Sequence, residues 1–206
     1  MYKYLNYSPS EIIEQIEKIY IIFRNSRAYF PYIRDTDIGN YSPQPFTIVN
    51  NIQMRISFNE MITKEFQSHS NSISHFLNQN FLVRLFSILQ YYEIYNDLDS
   101  KYKKLHILKR LRNKFGHSLG TYNHKSQRDR KLLKDIIMEF NLPQKDYSDF
   151  PISIDTVINE IIKESKKCIE ELFKKPLPKI TFLYKFVYSP VKSFFNCIKV
   201  NYVRFK

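Results

Sequence analysis

Arg112, Asn113 and His117 stand in one hexad, Arg112-Asn113-Lys114-Phe115-Gly116-His117, and are the residue types that phosphodiester cleavage needs. A neutral imidazole has an unperturbed pKa of about 6.5 and exchanges protons at cellular pH. A guanidinium stays charged and offers a planar fork of N–H donors to two phosphate oxygens. In RNA the 2′-hydroxyl lies beside the scissile phosphate as an internal nucleophile. A group that removes its proton, or protonates the departing 5′-oxygen, cuts the strand without a metal. His117 fits that acid–base role. Arg112 fits the stabilisation of charge growing on the non-bridging oxygens, and Asn113 orients either group or donates to phosphate. The products would carry a 2′,3′-cyclic phosphate and a 5′-hydroxyl. A bland alternative stands beside this one: Gly116 as a helix stop, His117 on the last carbonyls and Arg112 as a solvated charge.

The elements around the hexad must position it. The run from Lys101 to Lys114 is the most basic helix-like stretch of the chain, with Leu105, Leu108 and Leu111 along one face. Two of only three glycines, Gly116 and Gly120, flank His117, and their placement predicts that the backbone leaves helical geometry there. Lys109, Arg110, Lys114, Lys125, Arg128 and Arg130 would form a basic rim for an RNA backbone; for any one of them a solvated surface charge is the alternative. Arg110 to His117 also satisfies a looser spacing, but Arg112 is the one followed by a polar residue.

Helical periodicity dominates elsewhere. A first helix opens at Ser8 or Ser10, with Ile12, Ile13, Ile16, Ile19, Tyr20 and Phe23 at helical spacing. A connection follows from about Ala28 to Phe46, and a weakly marked helix is expected between Ile48 and Phe66. The next helix is expected from Ser72 to Tyr95, with Ile73, Phe76, Leu77, Phe81, Leu82, Leu85, Phe86 and Leu89 as its apolar stripe. Asn96 to Ser100 is short enough to make an antiparallel hairpin with the basic helix. Two more helices are expected, from Ser126 to Phe140 and from Ile154 to about Lys174. The fold class is all-α, a helical bundle over residues 1–174.

Residues 175–206 form a basic, aromatic extension with Pro176, Pro178 and Pro190 and no acidic residue after Glu171. Three readings apply to it: helices packing on the bundle with snorkelling lysines, a nucleic-acid-binding arm with stacking aromatics, or a membrane-surface segment.

The formal net charge of +12 favours polyanionic partners, chiefly nucleic acid or an anionic membrane surface. Cys168 and Cys197 have neither CxxC nor CxxH spacing, so neither a disulfide framework nor a cysteine zinc site is expected. The N-terminus lacks the apolar core of a signal peptide, and no run of about 20 apolar residues predicts a transmembrane segment. A cytoplasmic setting is the expectation. There is no HExxH, no carboxylate cluster with metal spacing and no glycine-rich phosphate loop, so no metal and no cofactor are expected. His106, His124, His69 and His75 read as helix-surface, turn or capping residues.

The hexad in its helical setting resembles the R-x4-6-H motif of the HEPN family of RNases. The resemblance covers about residues 70 to 140, and the first and last long helices more loosely. It implies a small helical bundle, metal-independent endoribonuclease activity, and catalytic roles for Arg112, Asn113 and His117. It also implies a homodimer, because a two-fold interface brings two motifs into one cleft. Leu119 stands where the nucleotidyltransferase-partnered HEPN toxins carry a tyrosine. The resemblance therefore leans toward stand-alone or phage-defence members, with growth arrest as the outcome and an antitoxin or sensor protein as a further partner. A catalytically silent helical module that binds RNA or protein is the alternative.

Overall fold

The computed structural model describes residues 6–43, 47–49, 52–54, 56–117 and 120–174. The extension over 175–206 lies outside the described residues, as do Ser118 and Leu119. Five α-helices carry the structure: α1 (Pro9–Tyr29), α2 (Lys64–Tyr91), α3 (Lys103–His117), α4 (Gln127–Glu139) and α5 (Asn159–Lys174). The fold is all-α apart from one small hairpin. No helix among the described residues is long and apolar enough to cross a membrane.

The helix starts follow local chemistry. Ser8 caps α1 in a reciprocal box: its Oγ accepts from Glu11 N at 3.2 Å, and Glu11 Oε2 accepts from Ser8 N at 2.5 Å. Hydrogen bonds from the Ser8 backbone and side chain hold the Glu11 carboxyl below its ordinary pKa. Thr63 caps α2 through Phe66 N, and Ser126 caps α4 through Asp129 N. α5 is preceded by a π-helical turn over Ile154–Ile158.

Partner contacts give the helix directions. Arg27 meets Ser74 at one end of α1 and Tyr7 stacks edge-on against Tyr92 at the other, so α1 and α2 are antiparallel. α3 returns along α2, with Lys109 over the Tyr95 ring and Arg112 over Phe86. α5 runs against both α1 and α3: Tyr20 Oη donates to Asn159 at 2.8 Å, Lys101 pairs with Glu171, and Leu105 N donates to Glu164 at 3.1 Å. These four helices enclose one core, in which Ile12, Ile16, Leu82, Leu85, Leu105, Leu108, Leu111, Ile161 and Ile169 are fully buried. α4 adds Leu132 and Ile136 from the far side of α3.

Three expectations are corrected. Instead of a helix between Ile48 and Phe66, Thr47–Val49 (β1) and Ile52–Met54 (β2) pair as an antiparallel hairpin, with Ile48 opposite Gln53. β-Branched Thr47, Ile48, Val49 and Ile52 favour strand, and three residues per strand are too few to display a period. The second helix starts eight residues earlier than Ser72, at Lys64, and stops at Tyr91 rather than Tyr95, because Glu93 adopts a left-handed conformation at φ 59°. Ile73 and Phe76 are 41% and 64% exposed, whereas Ser70, Ser74 and Asn78 are buried.

That polar seam has a clear cause. Ser74 Oγ donates to Phe30 O at 2.7 Å, Asn71 bonds both Ile33 N and Ile33 O, and Asn78 Nδ2 donates to Ile152 O at 2.9 Å. Two irregular segments thus dock on α2 through backbone groups that would otherwise be buried unpaired.

The third correction concerns the glycines. α3 continues through Gly116 to residue 117, and a Cβ at Gly116 would meet open space. Gly120 is the left-handed residue, at φ +75°, and a Cβ there would lie 2.7 Å from Gln79 Oε1. Gly120→Ala is therefore expected to destabilise by about 1–2 kcal/mol, mostly from the backbone, since the Gln79 side chain can swing aside. Gly116→Ala is expected to stabilise by about 0.5–1 kcal/mol, as alanine does for glycine inside a helix. Urea denaturation of both variants checks the pair; equal signs would contradict this backbone.

Candidate functional site

The second half of α3 presents four cations, Lys109, Arg110, Arg112 and Lys114, and their surroundings divide them. Lys114 Nζ lies 2.6 Å from Asp129 Oδ2, and both side chains are nearly out of solvent at 15% and 8% exposure. Burial pushes the Asp129 carboxyl up, but Lys114, Asn123 N–H and Ser126 overcome it and hold the pKa below its ordinary value. Arg110 pairs through Nη1 with Asp135 of α4. Both cations thus bind α4 to α3, each with its charge answered by one carboxylate within the fold.

Lys109 and Arg112 face the other way, toward α2. Lys109 Nζ sits 4.7 Å from the centroid of Tyr95, whose hydroxyl is pushed up to about 12 by burial. Arg112 lies with its guanidinium carbon 5.6 Å from the Phe86 centroid, a cation–π contact. Arg112 Nη1 donates to Asn113 Oδ1 at 3.2 Å. Among the described residues no carboxylate pairs with Arg112. Lys125, Arg128 and Arg130 are exposed at the start of α4, where Lys125 N donates to Asn123 Oδ1 at 2.9 Å.

Helix geometry relates these positions to residue 117, whose side chain lies outside the described residues. At 3.6 residues per turn, positions 112 and 117 are about 140° apart around α3 and about 7.5 Å apart along it. Positions 110, 113 and 117 fall on one stripe, within about 60° of each other. His106 extends that stripe by one turn. Its Nδ1 is 3.4 Å from Tyr95 Oη and its Nε2 is 3.3 Å from Asp99 O. A groove of about 300 Å3 between α3 and α4 runs beside it, lined by Lys103, His106, Arg110, Asp135 and Glu139.

Residue types alone do not separate free cations from paired ones. The pairing follows from the antiparallel course of α4 beside α3, which brings Asp135 to Arg110 and Asp129 to Lys114. Among the described residues no three His, Cys, Asp or Glu side chains converge into a metal-binding group. His124 is exposed and edge-on to Tyr122 at 4.6 Å, and His75 Nε2 lies 3.0 Å from Asp149 Oδ2.

What the arrangement offers chemically is a guanidinium with unspent donors, an amide beside it and a histidine position about 1.4 turns further along, at the end of a basic helix. Against protein-family models, curated proteins and solved structures, the chain has no match.

Proposed function

We propose that this chain is a metal-independent endoribonuclease of HEPN type, active as a cytoplasmic homodimer in phage defence or toxin-mediated growth arrest. The observation that supports it is the state of Arg112. It is the arginine of the hexad, and among the described residues it keeps its N–H donors clear of any carboxylate, while Arg110 is paired with Asp135. A phosphate is the partner such a donor fork fits. His117 acts as general acid–base, Arg112 binds the non-bridging oxygens, and Asn113 steadies the guanidinium through the contact it already makes. Lys109, Lys125, Arg128 and Arg130 hold the RNA backbone, and Arg110 and Lys114, whose charges Asp135 and Asp129 answer, contribute less to it. Dimerisation supplies the second proton-transfer group that one motif lacks.

A second reading rests on the helix register. Positions 112 and 117 sit on different faces of α3, which suits a silent module that binds RNA or a partner protein through the same surface.

The deciding experiment incubates the full chain with total RNA in EDTA. The expected result is cleavage at full rate, with fragments ending in a 2′,3′-cyclic phosphate and beginning with a 5′-hydroxyl. A requirement for a divalent ion overturns the mechanism. Binding without cleavage selects the silent module.

A further inference from the structure

α4 divides its charges between two faces. Its acidic residues all turn toward α3: Asp129 meets Lys114, Asp135 meets Arg110, and Glu139 lines the groove between the two helices. At 3.6 residues per turn, Arg130, Lys131 and Lys134 fall within about 100° of each other on the opposite side, away from the buried Leu132 and Ile136. All three are exposed, as are Lys125 and Arg128 at the start of the helix. Among the described residues none of these five side chains has a carboxylate partner. On α5 the arrangement is the ordinary one: Lys163 lies near Glu160, Lys166 near Glu17 and Lys167 near Glu171. Packing on α3 takes up the carboxylates of α4 and leaves its outer face with positive charge alone.

What that face lacks selects its partner. An acidic protein surface needs aromatic or apolar anchors to build an interface core, and of the large apolar side chains of α4 only Met138 is exposed, at 62%. A helix lying on a membrane sinks an apolar face beneath its cations, but Leu132 and Ile136 are already spent in the core of the fold. Phosphates of a nucleic acid need neither. Proteins that hold a single strand add aromatic rings on which its bases stack. The outer face of α4, with Gln127, Arg130, Lys131, Lys134 and Met138, has no ring. A paired strand turns its bases inward and presents phosphates and 2′-hydroxyls instead.

Rings stand at one end of this track. Tyr122 and His124 lie edge-on with centroids 4.6 Å apart in the turn before α4. Between them Asn123 N donates to Asp129 Oδ2 at 2.9 Å, the carboxylate that holds Lys114 of the hexad. The aromatic turn therefore adjoins the hexad, and the cations lead away from it along α4.

We propose that the outer face of α4 docks a paired, A-form stretch of RNA through its phosphates, with Lys131 and Lys134 extending the contact begun by Lys125, Arg128 and Arg130. The unpaired nucleotides adjoining that stem lie at the aromatic turn and the hexad. The substrate class is a hairpin, or another stem with an unpaired flank, and this deepening rests on the RNA reading of α3. The division suits the chemistry. As the bond from the 2′-oxygen to phosphorus forms and the bond to the 5′-oxygen breaks, the two oxygens must stand in line. An A-form strand does not hold that geometry, and an unpaired nucleotide reaches it. Phosphate contacts carry no base information, so docking is independent of the sequence of the stem.

Fluorescence anisotropy of the full chain with 2′-O-methyl RNA, which pairs in A-form and cannot be cut by its own 2′-oxygen, tests the proposal. A hairpin is compared with an unstructured strand of the same length, and the hairpin should bind at least about ten-fold more tightly. Lys131→Gln with Lys134→Gln should weaken the hairpin by at least about ten-fold and lower the slope of log affinity against log salt by about 1.5, the share of two phosphate contacts. Lys18→Gln with Lys64→Gln removes the same charge from α1 and the start of α2, and should leave hairpin binding within about two-fold. The proposal is overturned if the hairpin binds no more tightly than the unstructured strand, if the α4 pair of substitutions leaves hairpin binding unchanged, or if the control pair weakens it equally. It is also overturned if the α4 pair abolishes binding to anionic vesicles and spares RNA, which assigns the face to a membrane. Binding is read here without cleavage. An inactive wild-type protein with the expected affinities sinks the nuclease reading alone, and an active nuclease indifferent to the α4 pair sinks this proposal alone.

Discussion

His117→Ala is expected to abolish RNA cleavage, with a loss of about 10²–10⁴-fold or down to background, the range by which general acid–base groups accelerate reactions. Among the described residues of α3 no side chain substitutes for it. Lys109 and Lys114 are amines rather than imidazoles, and Lys114 is held by Asp129. His106 stands eleven residues earlier on α3, about 16 Å along the helix axis, too far to serve the same phosphate. The loss should appear in turnover and not in affinity. RNA binding rests on the surrounding cations, so it should survive the substitution and weaken steeply with added salt. Gel-based cleavage and filter binding on the same preparation separate the two quantities. Cleavage by His117→Ala at the parental rate would sink the mechanism.

Arg112→Ala should be nearly as damaging, by about 10²–10³-fold, the usual cost of removing one preorganised donor to a developing oxyanion. Arg112→Lys should restore little. An ammonium cannot present two parallel N–H donors to two phosphate oxygens as a planar guanidinium does. Asn113→Ala, which removes the 3.2 Å contact to Arg112, should cost less. Arg110→Ala is the informative comparison. Arg110 shares a helical stripe with residue 117 but is paired with Asp135. Its loss should loosen the α3–α4 contact and lower the melting temperature while leaving turnover per folded molecule within a few-fold. If Arg110→Ala eliminates cleavage and Arg112→Ala does not, the arginine of the motif is Arg110, and helix register outweighs the availability of donors.

Much of the fold was legible because its causes are local. Ser8 with Glu11, and Ser126 before Gln127, are capping chemistry within three residues. Leu105, Leu108 and Leu111 recur at the helical period and are all fully buried. The elements misjudged are those whose causes lie far along the chain. Ser70, Ser74 and Asn78 lie outside the apolar stripe read for α2, and their face is buried because the backbone carbonyls of Phe30, Pro31 and Ile152 come to it from about 40 and 74 residues away. Ile73 and Phe76 looked like core and are exposed because α2 turns that polar face inward instead.

The candidate site divides in the same way. Residue types and spacing by themselves single out Arg112, Asn113 and His117, since acid–base capacity, permanent charge and neighbourhood on one helix are properties of the sequence. Which cations remain free is not such a property. Asp129 and Asp135 neutralise Lys114 and Arg110 only because α4 folds back antiparallel on α3, and Arg112 escapes because its side of α3 meets an aromatic ring of α2. Likewise Gly116 and Gly120 are equivalent as letters, but only Gly120 takes the left-handed conformation, because α3 has room to finish its last turn. Local propensity and period determine which segments become helices; the charges and polar atoms left unanswered after those helices pack are decided by tertiary structure, because each depends on a partner brought from elsewhere in the chain.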